Sequence, residues 1–226
     1  DHGDAWHGAC EDDSHQSWMT LPGIESALYT ARQDTGAKLD VVSFDCCYMA
    51  SAEVAHQLQN ETRYLVASEE MMGYKGIDYD NLLPAIQKLG PKETVERLVS
   101  ISGLDQDDIQ TFSAVDLARI PALTQSLEKL GQAIVASPKS GAQLRKMVAG
   151  SEAFETYRDV YALAERFQGD PGMKSAAQEV KAAVKHVMVA ERHSEKDHPN
   201  AHGIQVELAP DTTERGIYRS AHIRNN

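Results

Sequence analysis

Two adjacent cysteines, Cys46 and Cys47, stand at the end of a short apolar segment that also contains Asp45. The β-branched residues Val41 and Val42 precede them and predict a buried strand, and "MASAEVAHQLQN" behind them has helical spacing. A cysteine between a strand and a helix lies at the carboxyl edge of the sheet, where open α/β sheets bind ligands. The helix N-terminus there favours a thiolate. Either cysteine is therefore a candidate nucleophile, and either also fits as a small buried side chain.

A histidine block, "DHGDAWHG", offers a partner for a nucleophilic cysteine. His2 is a candidate general base. Gly3 has no side chain, so its backbone N–H can approach a substrate carbonyl. The interval from His2 to Cys47 is close to the ~50 residues that separate histidine from cysteine in caspases. Without a cysteine partner His2 would be an ordinary terminal histidine, so the pairing carries the catalytic interpretation.

Helices and strands alternate in the first half of the chain. A helix that stops at Gly36 is predicted for "GIESALYTARQDTG", a strand for "KLDVVSFDCC", a helix for "MASAEVAHQLQN" and a strand for "RYLVASEE". Two more helices, "NLLPAIQKLG" and "KETVERLVSISG", and a third strand, "IQTFSAVDL", follow. This order favours a three-layer α/β/α sandwich with a mostly parallel sheet.

Residues 119–190 are predicted to be strongly helical, because three stretches repeat apolar residues every three or four positions. A polar loop, "HSEKDHPNAHG", comes next, and we expect His193, His198 and His202 at the surface. The alternating "GIQVELAP" predicts a final strand before a loose tail. Because no repeat or low-complexity linker divides the chain, residues 1–226 are predicted to form one domain.

The composition narrows the choice of partners. The 226 residues are 42% apolar and carry a net charge of −12. A nucleic acid or an anionic membrane surface would need a basic face, so a cationic partner or substrate fits better. No apolar run reaches the ~20 residues that cross a bilayer, and no signal peptide is visible. Three cysteines are too few for a disulfide framework.

An acidic segment, "HGACEDDSHQ", raises a metal hypothesis because it combines histidine, cysteine and carboxylate side chains. Its spacing matches no zinc signature. Carboxylate oxygens suit Ca²⁺, but the ligand ladder of an EF-hand is missing. A solvated acidic loop is the simpler interpretation, so no metal ligand is assigned. A metal-dependent hydrolase built on this segment is kept as a rival function.

Seven ordered blocks resemble the clostripain-type cysteine peptidases, which belong to one clan with caspases, gingipains and legumains. The most specific blocks are "DHGDAWHG", "VVSFDCCYMASAEVA" and "YLVASEE", and the weaker ones are "GIDYDNLL", "TFSAVDLARI", "YRDVYALAERF" and "HGIQVELAP". The resemblance spans almost the whole chain. It implies a caspase-like fold and a cysteine endopeptidase that a bacterium secretes or keeps in its cell envelope.

The same resemblance implies roles for particular residues. Cys47 aligns with the family nucleophile, and Cys46 occupies a position usually held by alanine. His2 would be the partner of Cys47 in a Cys/His dyad, and the N–H groups of Gly3 and Cys47 would hold the oxyanion. The chemistry requires no cofactor, while a structural Ca²⁺ is possible because the family includes calcium-dependent members.

A substrate pocket is predicted around Asp45, which lies two residues before Cys47 and so on the same side of a strand. Its carboxylate would form a fork of hydrogen bonds with a substrate Arg, or an ion pair with Lys. The resemblance implies the same, since clostripain-type enzymes cleave after Arg or Lys. Ser68 and Glu69, at the end of the next strand, are expected to line this pocket. Glu70 could line it too, but an exposed acidic strand end explains both glutamates equally well. The alternative is that Asp45 caps the next helix.

Departures from the family pattern define two further expectations. Family members carry strands and helices before the histidine block, so residues 1–226 are predicted to be the carboxyl-terminal part of a single caspase-like domain. Its sheet would need strands from an upstream segment or a companion chain. Asp4 and Ala5 replace glycines, and Ile77 replaces a tryptophan near the cleft. A non-catalytic binding domain of the same fold is therefore the first rival function.

Overall fold

The computed structural model describes residues 2–5, 7–12, 14–15, 17–101 and 109–208. Its strands are β1 Gly3–Asp4, β2 Gly8–Asp12, β3 Ser17–Met19, β4 Leu39–Ser43, β5 Thr62–Ala67, β6 Thr111–Asp116, β7 Ala153–Phe154, β8 Tyr157–Asp159, β9 Met188–His193 and β10 Gln205–Glu207. Its α-helices are α1 Leu21–Thr35, α2 Ala52–Leu58, α3 Tyr79–Ile86, α4 Pro91–Ile101, α5 Ile120–Val135, α6 Gly141–Val148, α7 Val160–Gln168 and α8 Lys174–Val187. The loose tail predicted after the final strand lies outside the described residues, as does Asp13 of the acidic segment.

The central sheet has the strand order β4-β5-β6-β9. Strands β4 and β5 pair in parallel, as predicted, whereas β6 pairs antiparallel with both β5 and β9. The described sheet is therefore mixed, which corrects the expectation of a mostly parallel one. The reason lies in the connections: α3 and α4 pack against each other between β5 and β6. Two helices bring the chain back to the end of the sheet where β5 finished, so β6 runs in the opposite direction. A single crossover helix would lead to a parallel strand.

Strand β5 shows why both faces of the sheet are covered. Tyr64 and Val66 point into a core cluster that contains residues of α3 and α4. Leu65 and Ala67 point into a second cluster, built from α2, α5, α7 and α8. Successive side chains of a strand face opposite sides, so a strand buried on both faces requires a layer of helices on each. The three-layer α/β/α sandwich is confirmed.

Helix α1 ends at the predicted glycine but begins two residues before the predicted stretch, at Leu21. The Thr20 hydroxyl accepts a hydrogen bond from the N–H of Gly23 at 3.2 Å, which satisfies one of the amides without a partner in the first turn. Gly36 adopts a left-handed conformation with φ 69°, and its N–H donates to the carbonyl of Arg32. Glycine populates that conformation at little cost, so the helix stops there.

The predicted helical stretch over residues 119–190 is only partly helical. Strands β7 and β8 form a hairpin inside it, and β9 takes over from α8 at Met188. The apolar period runs on across that boundary, so periodicity alone could not locate it. Pairing with β6, from Thr111 opposite His193 to Val115 opposite Met188, decides the extended conformation of β9.

Two small sheets stand beside the central one. Strands β1, β2 and β3 form the first, and β10, β8 and β7 form the second. The second contains the predicted final strand, observed as Gln205–Glu207. An isolated bridge between Ser51 and Gln205 connects β10 to the segment after the cysteines. In the described part of the chain, no helix is long and apolar enough to cross a bilayer.

Candidate active site

Cys47 lies at the carboxyl edge of the central sheet, as predicted. Strand β4 ends at Ser43, but the chain continues beside the end of β5, where Phe44, Tyr48 and Ala50 donate backbone hydrogen bonds to carbonyls of β5 and of the segment after it. Tyr48 adopts a left-handed conformation with φ 56°, which is unfavourable for a bulky residue. These contacts hold a tight turn that displays Cys47.

The helix after the cysteines starts later than the sequence predicts. Ser51 is the N-cap of α2, and its hydroxyl accepts a hydrogen bond from the N–H of Val54 at 3.2 Å. The helix N-terminus therefore does not follow Cys47 directly, which corrects the expectation that it acts on the thiol from the next residue. Because Ser51 caps the helix, the alternative role of Asp45 as that cap is excluded.

The two adjacent thiols have different environments. Cys46 is 4% exposed and belongs to the core cluster. Cys47 is half-buried, and the backbone N–H of Met72 donates to its sulfur at 3.3 Å. Only a sulfur that a substrate can reach is able to attack it, so these positions favour Cys47 as the nucleophile and Cys46 as a packing residue.

A cavity of about 400 Å³ adjoins Cys47, and its lining includes His2 and Gly3. The structure thus brings together the three residues that the sequence assigns to the dyad and the oxyanion hole. The volume lies within the range of ligand pockets, ~300–1,000 Å³. Further lining residues are Asp4, His7, Trp18, Tyr48, Met71, Glu155, Thr156, Tyr157 and Glu207.

Backbone pairing fixes the histidine block. The carbonyl of His2 accepts a hydrogen bond from the N–H of Cys10 at 3.0 Å. Antiparallel pairs alternate between bonded and non-bonded, so the next residue, Gly3, directs its N–H away from β2. A Cβ at Gly3 would lie 2.8 Å from Cys46 Cβ and 2.9 Å from the carbonyl oxygen of Cys47. Only glycine fits there, and its backbone therefore lies against the cysteine turn.

Tyr157 supports this arrangement from the second small sheet. Its hydroxyl accepts a hydrogen bond from the N–H of Ala5 at 3.1 Å, across 152 positions of sequence. Its ring stacks on Tyr48 with centroids 5.6 Å apart. Burial raises the pKa of both tyrosines well above the usual value, so both hydroxyls stay neutral. Sequence reasoning missed this role, because Tyr157 lies in the stretch predicted to be helical.

Asp45 lies beside the cavity, under the segment 76–79, and is not one of its lining residues. Its Oδ2 accepts hydrogen bonds from the N–H of Ile77 at 3.2 Å and the hydroxyl of Tyr79 at 3.1 Å. Burial, with the carboxylate of Asp45 second, raises the pKa of Tyr79 to about 12. Gly76 has φ 59°, and a Cβ there would lie 2.5 Å from Oδ2. No local pattern predicts these partners of Asp45.

A family model described as the clostripain family of peptidases matches residues 1–198. The chain belongs to the clostripain family. No match was found among curated proteins.

Solved structures of this family have the same fold. A clostripain from Bacteroides thetaiotaomicron in complex with a peptide inhibitor matches with a TM-score of 0.73 and 14% identity, over 92% of this chain and 94% of that one. An inactive zymogen C11 protease from Parabacteroides distasonis matches with 0.71 and 15%, over 98% and 66%. A secreted C11 cysteine protease from B. thetaiotaomicron matches with 0.70 and 17%, over 99% and 68%. The chain is thus similar in fold to peptidases of the clostripain family.

Ser68 and Glu69 are not at the cleft. Both are buried, since β5 leads them into the interior. The Ser68 hydroxyl is 2.9 Å from that of Thr111, and Glu69 Oε2 accepts a hydrogen bond from the N–H of Gly203 at 2.8 Å. Their positions correct the expectation that they contact substrate in this clostripain-family chain. They support the edge of the sheet from behind.

His198 is a second correction, because it is buried and not at the surface. Its Nδ1 lies 3.1 Å from Glu152 Oε1, and its Nε2 lies 2.8 Å from Gln110 Oε1 and 3.4 Å from Glu70 Oε2. The loop that contains it therefore packs onto the ends of the sheet. The polar composition of the loop predicts exposure, so it gives no sign of this contact.

Asp12, in the acidic segment, is engaged in a local turn. Asp12 Oδ2 lies 2.7 Å from His15 Nδ1, and Oδ1 accepts a hydrogen bond from the N–H of Ser14 at 3.0 Å. Both oxygens of Asp12 therefore hold the turn together. Within the described ranges, no three His, Cys, Asp or Glu side chains are grouped to hold a metal.

Proposed function

We propose that this chain is a cysteine endopeptidase in which His2 and Cys47 form the catalytic dyad and that it cleaves after Arg or Lys. One observation carries the proposal: His2, Gly3 and Cys47, from distant parts of the chain, line one cavity. Membership of the clostripain family supports a peptidase activity.

The arrangement supports a two-step acyl transfer. His2 removes the proton of the Cys47 thiol, and the sulfur attacks the carbonyl carbon of the scissile bond. The N–H groups of Gly3 and Cys47 stabilise the negative oxygen that develops. His2 then protonates the leaving amine, which leaves a thioester on Cys47. A water molecule, deprotonated by His2, hydrolyses this thioester and restores the thiol.

Charge supports a basic residue before the cut. Three carboxylates, Asp4, Glu155 and Glu207, line the cavity, and its described lining residues include no lysine or arginine. Asp45 lies at the adjacent turn. Its carboxylate would bind a guanidinium through two parallel hydrogen bonds once segment 76–79 moves away from it. The net charge of −12 adds a long-range attraction for cationic peptides.

Asp45→Asn tests this specificity in the full-length protein, with fluorogenic peptides that differ only in the residue before the cleaved bond. Removing the charge should lower kcat/KM for Arg and Lys peptides by about 10²-fold. The rate at which iodoacetamide labels Cys47 should change little. Asp40→Asn, an exposed carboxylate at the start of β4, is the matched control. Equal loss of cleavage and labelling would make Asp45 a structural residue. If no Arg, Lys or Asp peptide is cut and Cys47 resists labelling, the proposed function is wrong.

A non-catalytic binding domain is the second candidate. The carboxylate of Asp45 is engaged by segment 76–79, and one similar structure is described as an inactive zymogen. The rate at which iodoacetamide alkylates Cys47 separates the two candidates, because a neighbouring base activates a thiol. The peptidase proposal expects His2→Ala to slow this alkylation, whereas a binding domain expects no change.

We also propose that a strand from upstream of residue 1, or from a companion chain, pairs with β4. In the described residues β4 pairs with β5 alone, and Leu39 is 43% exposed while Val41 and Val42 are half-buried. An unpaired apolar edge favours strand addition. In the full-length protein, the β4 amides that face away from β5 should be protected from hydrogen exchange as well as those that face it. Fast exchange confined to the outward amides would refute the pairing.

The location that we propose is outside the cytoplasm of a bacterium. One of the similar structures is described as a secreted protease from a Bacteroides species. A secreted endopeptidase would meet cationic peptide substrates in its surroundings, which agrees with the acidic cleft.

A further inference from the structure

Cys46, the neighbour of the candidate nucleophile, also contacts a third cysteine, Cys10. Cys46 is buried, Cys10 is exposed, and the side chain of Cys46 contacts the thiol of Cys10. Gly3 explains the approach: it lies against Cys46 on one side and pairs within the β1–β2 hairpin that contains Cys10 on the other. The proposed cleavage reaction uses neither thiol.

Each thiol is rigidly connected to one half of the dyad. Cys10 donates its backbone N–H to the carbonyl of His2, and Cys46 is bonded to Cys47. Cys10 also has a left-handed backbone, with φ 60°, a conformation that is unfavourable for a non-glycine residue. This conformation interrupts the alternation of side chains along β2. A covalent bond between the two thiols would therefore act on His2 and Cys47 together.

We propose that Cys10 and Cys46 form a reversible disulfide that switches the peptidase site off. Thiols in contact must move closer by more than about 1 Å to reach the ~2.05 Å of an S–S bond. That movement displaces the backbones of His2 and Cys47 relative to each other. A misplacement of about 1 Å can cost ~10² in rate. The loss of activity rests on the proposed function, whereas formation of the disulfide does not.

Oxidation requires an electron acceptor, and a low-molecular-weight disulfide supplies it. The thiolate of exposed Cys10 attacks one sulfur of that disulfide, whose S–S bond breaks and releases a thiolate. Cys46 then loses its proton and attacks the Cys10 sulfur, which releases the second small thiolate. Two protein thiols are oxidised to one S–S bond, and one small disulfide is reduced to two thiols. Dithiothreitol reverses both steps.

The order of these steps follows from burial. Burial, with Cys10 as the second cause, raises the pKa of Cys46 to about 11. Little of it is thiolate at neutral pH, so Cys46 is the slower, resolving thiol. Its burial also keeps the oxidant away from it until Cys10 has reacted.

Peptide mapping tests the proposal in the full-length protein. The protein is incubated with oxidised glutathione, free thiols are blocked with N-ethylmaleimide, and the digest is examined by mass spectrometry. We expect a Cys10–Cys46 cross-linked peptide in the parent, with no more glutathione on Cys47 than in variants that lack one of the two bridging thiols. Cleavage of an Arg or Lys peptide should fall at least tenfold and return with dithiothreitol.

Cys46→Ala and Cys10→Ser are the matched variants, and either one suffices if the other fails to fold. Both should lose much less activity than the parent in the same treatment, and any loss that remains should match the amount of glutathione on Cys47. A digest that shows glutathione on Cys47 and no Cys10–Cys46 bridge would overturn the proposal, as would equal inactivation of the variants. If the bridge forms but the reduced protein cleaves nothing, the disulfide stands and the proposed function fails.

Discussion

Replacement of Cys47 by alanine should abolish peptide-bond cleavage and lower kcat/KM by about 10⁴-fold or more, because the covalent step is lost. The half-buried position of Cys47 on the cavity makes it the only one of the adjacent pair that a substrate can reach. His2→Ala should give a comparable loss. The double variant should be no worse than either single one, since groups that act as a unit are not additive. Hydrolysis of a fluorogenic Arg peptide by the full-length protein is the measurement.

Cys46→Ala is the matched control for that loss. It removes one sulfur from a buried site, at the neighbouring position of the same turn. Cleavage should stay within a few-fold of the parent, assayed under reducing conditions so that disulfide formation does not intervene. Retained activity in Cys47→Ala together with loss in Cys46→Ala would reverse the two assignments.

The position of the two cysteines at the carboxyl edge of the sheet could be predicted, because it depends on local sequence patterns. Val41 and Val42 indicate a buried strand, and the cysteines after it must lie at the strand's carboxyl end. Strand alternation does not explain why Cys46 is buried and Cys47 is half-buried, however, because β4 ends at Ser43. The turn that is hydrogen-bonded to β5 and the segment after it gives the two side chains their different burial. The register argument for Cys47 therefore does not hold, and the turn gives a different reason to favour Cys47 over Cys46 as the candidate nucleophile.

The supporting residues could not be predicted, since their partners are distant in the sequence. Tyr157 reaches Ala5, and Tyr79 reaches Asp45, through contacts that no periodicity encodes. Burial of Ser68 and Glu69 has a similar cause: acidic and polar residues at a strand end are usually exposed, and only long-range partners allow these two to be inside. Tertiary hydrogen bonds thus account for most of the errors at the site.

A buried pair of carboxyl groups, Glu69 and Asp159, should dominate the stability of this edge. Asp159 is fully buried, and its Oδ1 accepts a hydrogen bond from Ala162 N–H at 2.6 Å while Oδ2 accepts one from His202 N–H at 2.7 Å. Glu69 is hydrogen-bonded to Asp159 and to Gly203 N–H. Asp159→Ala leaves several buried donors without an acceptor at about 1–3 kcal/mol each, so we expect a loss of about 3–5 kcal/mol in the free energy of unfolding.

Protonation of Glu69 explains how two carboxyl groups, Glu69 and Asp159, can be buried next to each other. Burial first, and the charge of Asp159 second, raise the pKa of Glu69 well above its usual value, with Glu191 adding a smaller push. A protonated Glu69 donates to the carboxylate of Asp159. Burial opposes ionisation of His202, yet its hydrogen bond to Asp159 and the charge of that group raise its pKa overall. The folded state therefore holds a proton on Glu69 and favours one on His202.

The pH dependence of stability follows from the extra proton on Glu69. In the unfolded chain a glutamate ionises near pH ~4.3. Above that pH the folded state binds more protons than the unfolded state, so the free energy of unfolding falls as pH rises, until Glu69 ionises in the folded state as well. Within that window one proton corresponds to about 1.4 kcal/mol per pH unit. Below pH ~4.3 the contribution of Glu69 to stability is fully present.

Glu69→Gln isolates this effect, because an amide donates to Asp159 and accepts from Gly203 without ionising. Urea unfolding between pH 5 and 8, followed by circular dichroism, should show a slope reduced by about 1.4 kcal/mol per pH unit in the window. The His202 contribution, of the same sign, should remain. Glu165→Gln, an exposed partner of Lys181, should change stability by less than about 1 kcal/mol and leave the slope unaltered. An unchanged slope in Glu69→Gln would mean that Glu69 is already ionised in the folded protein, and the carboxyl pair would then need another source of positive charge.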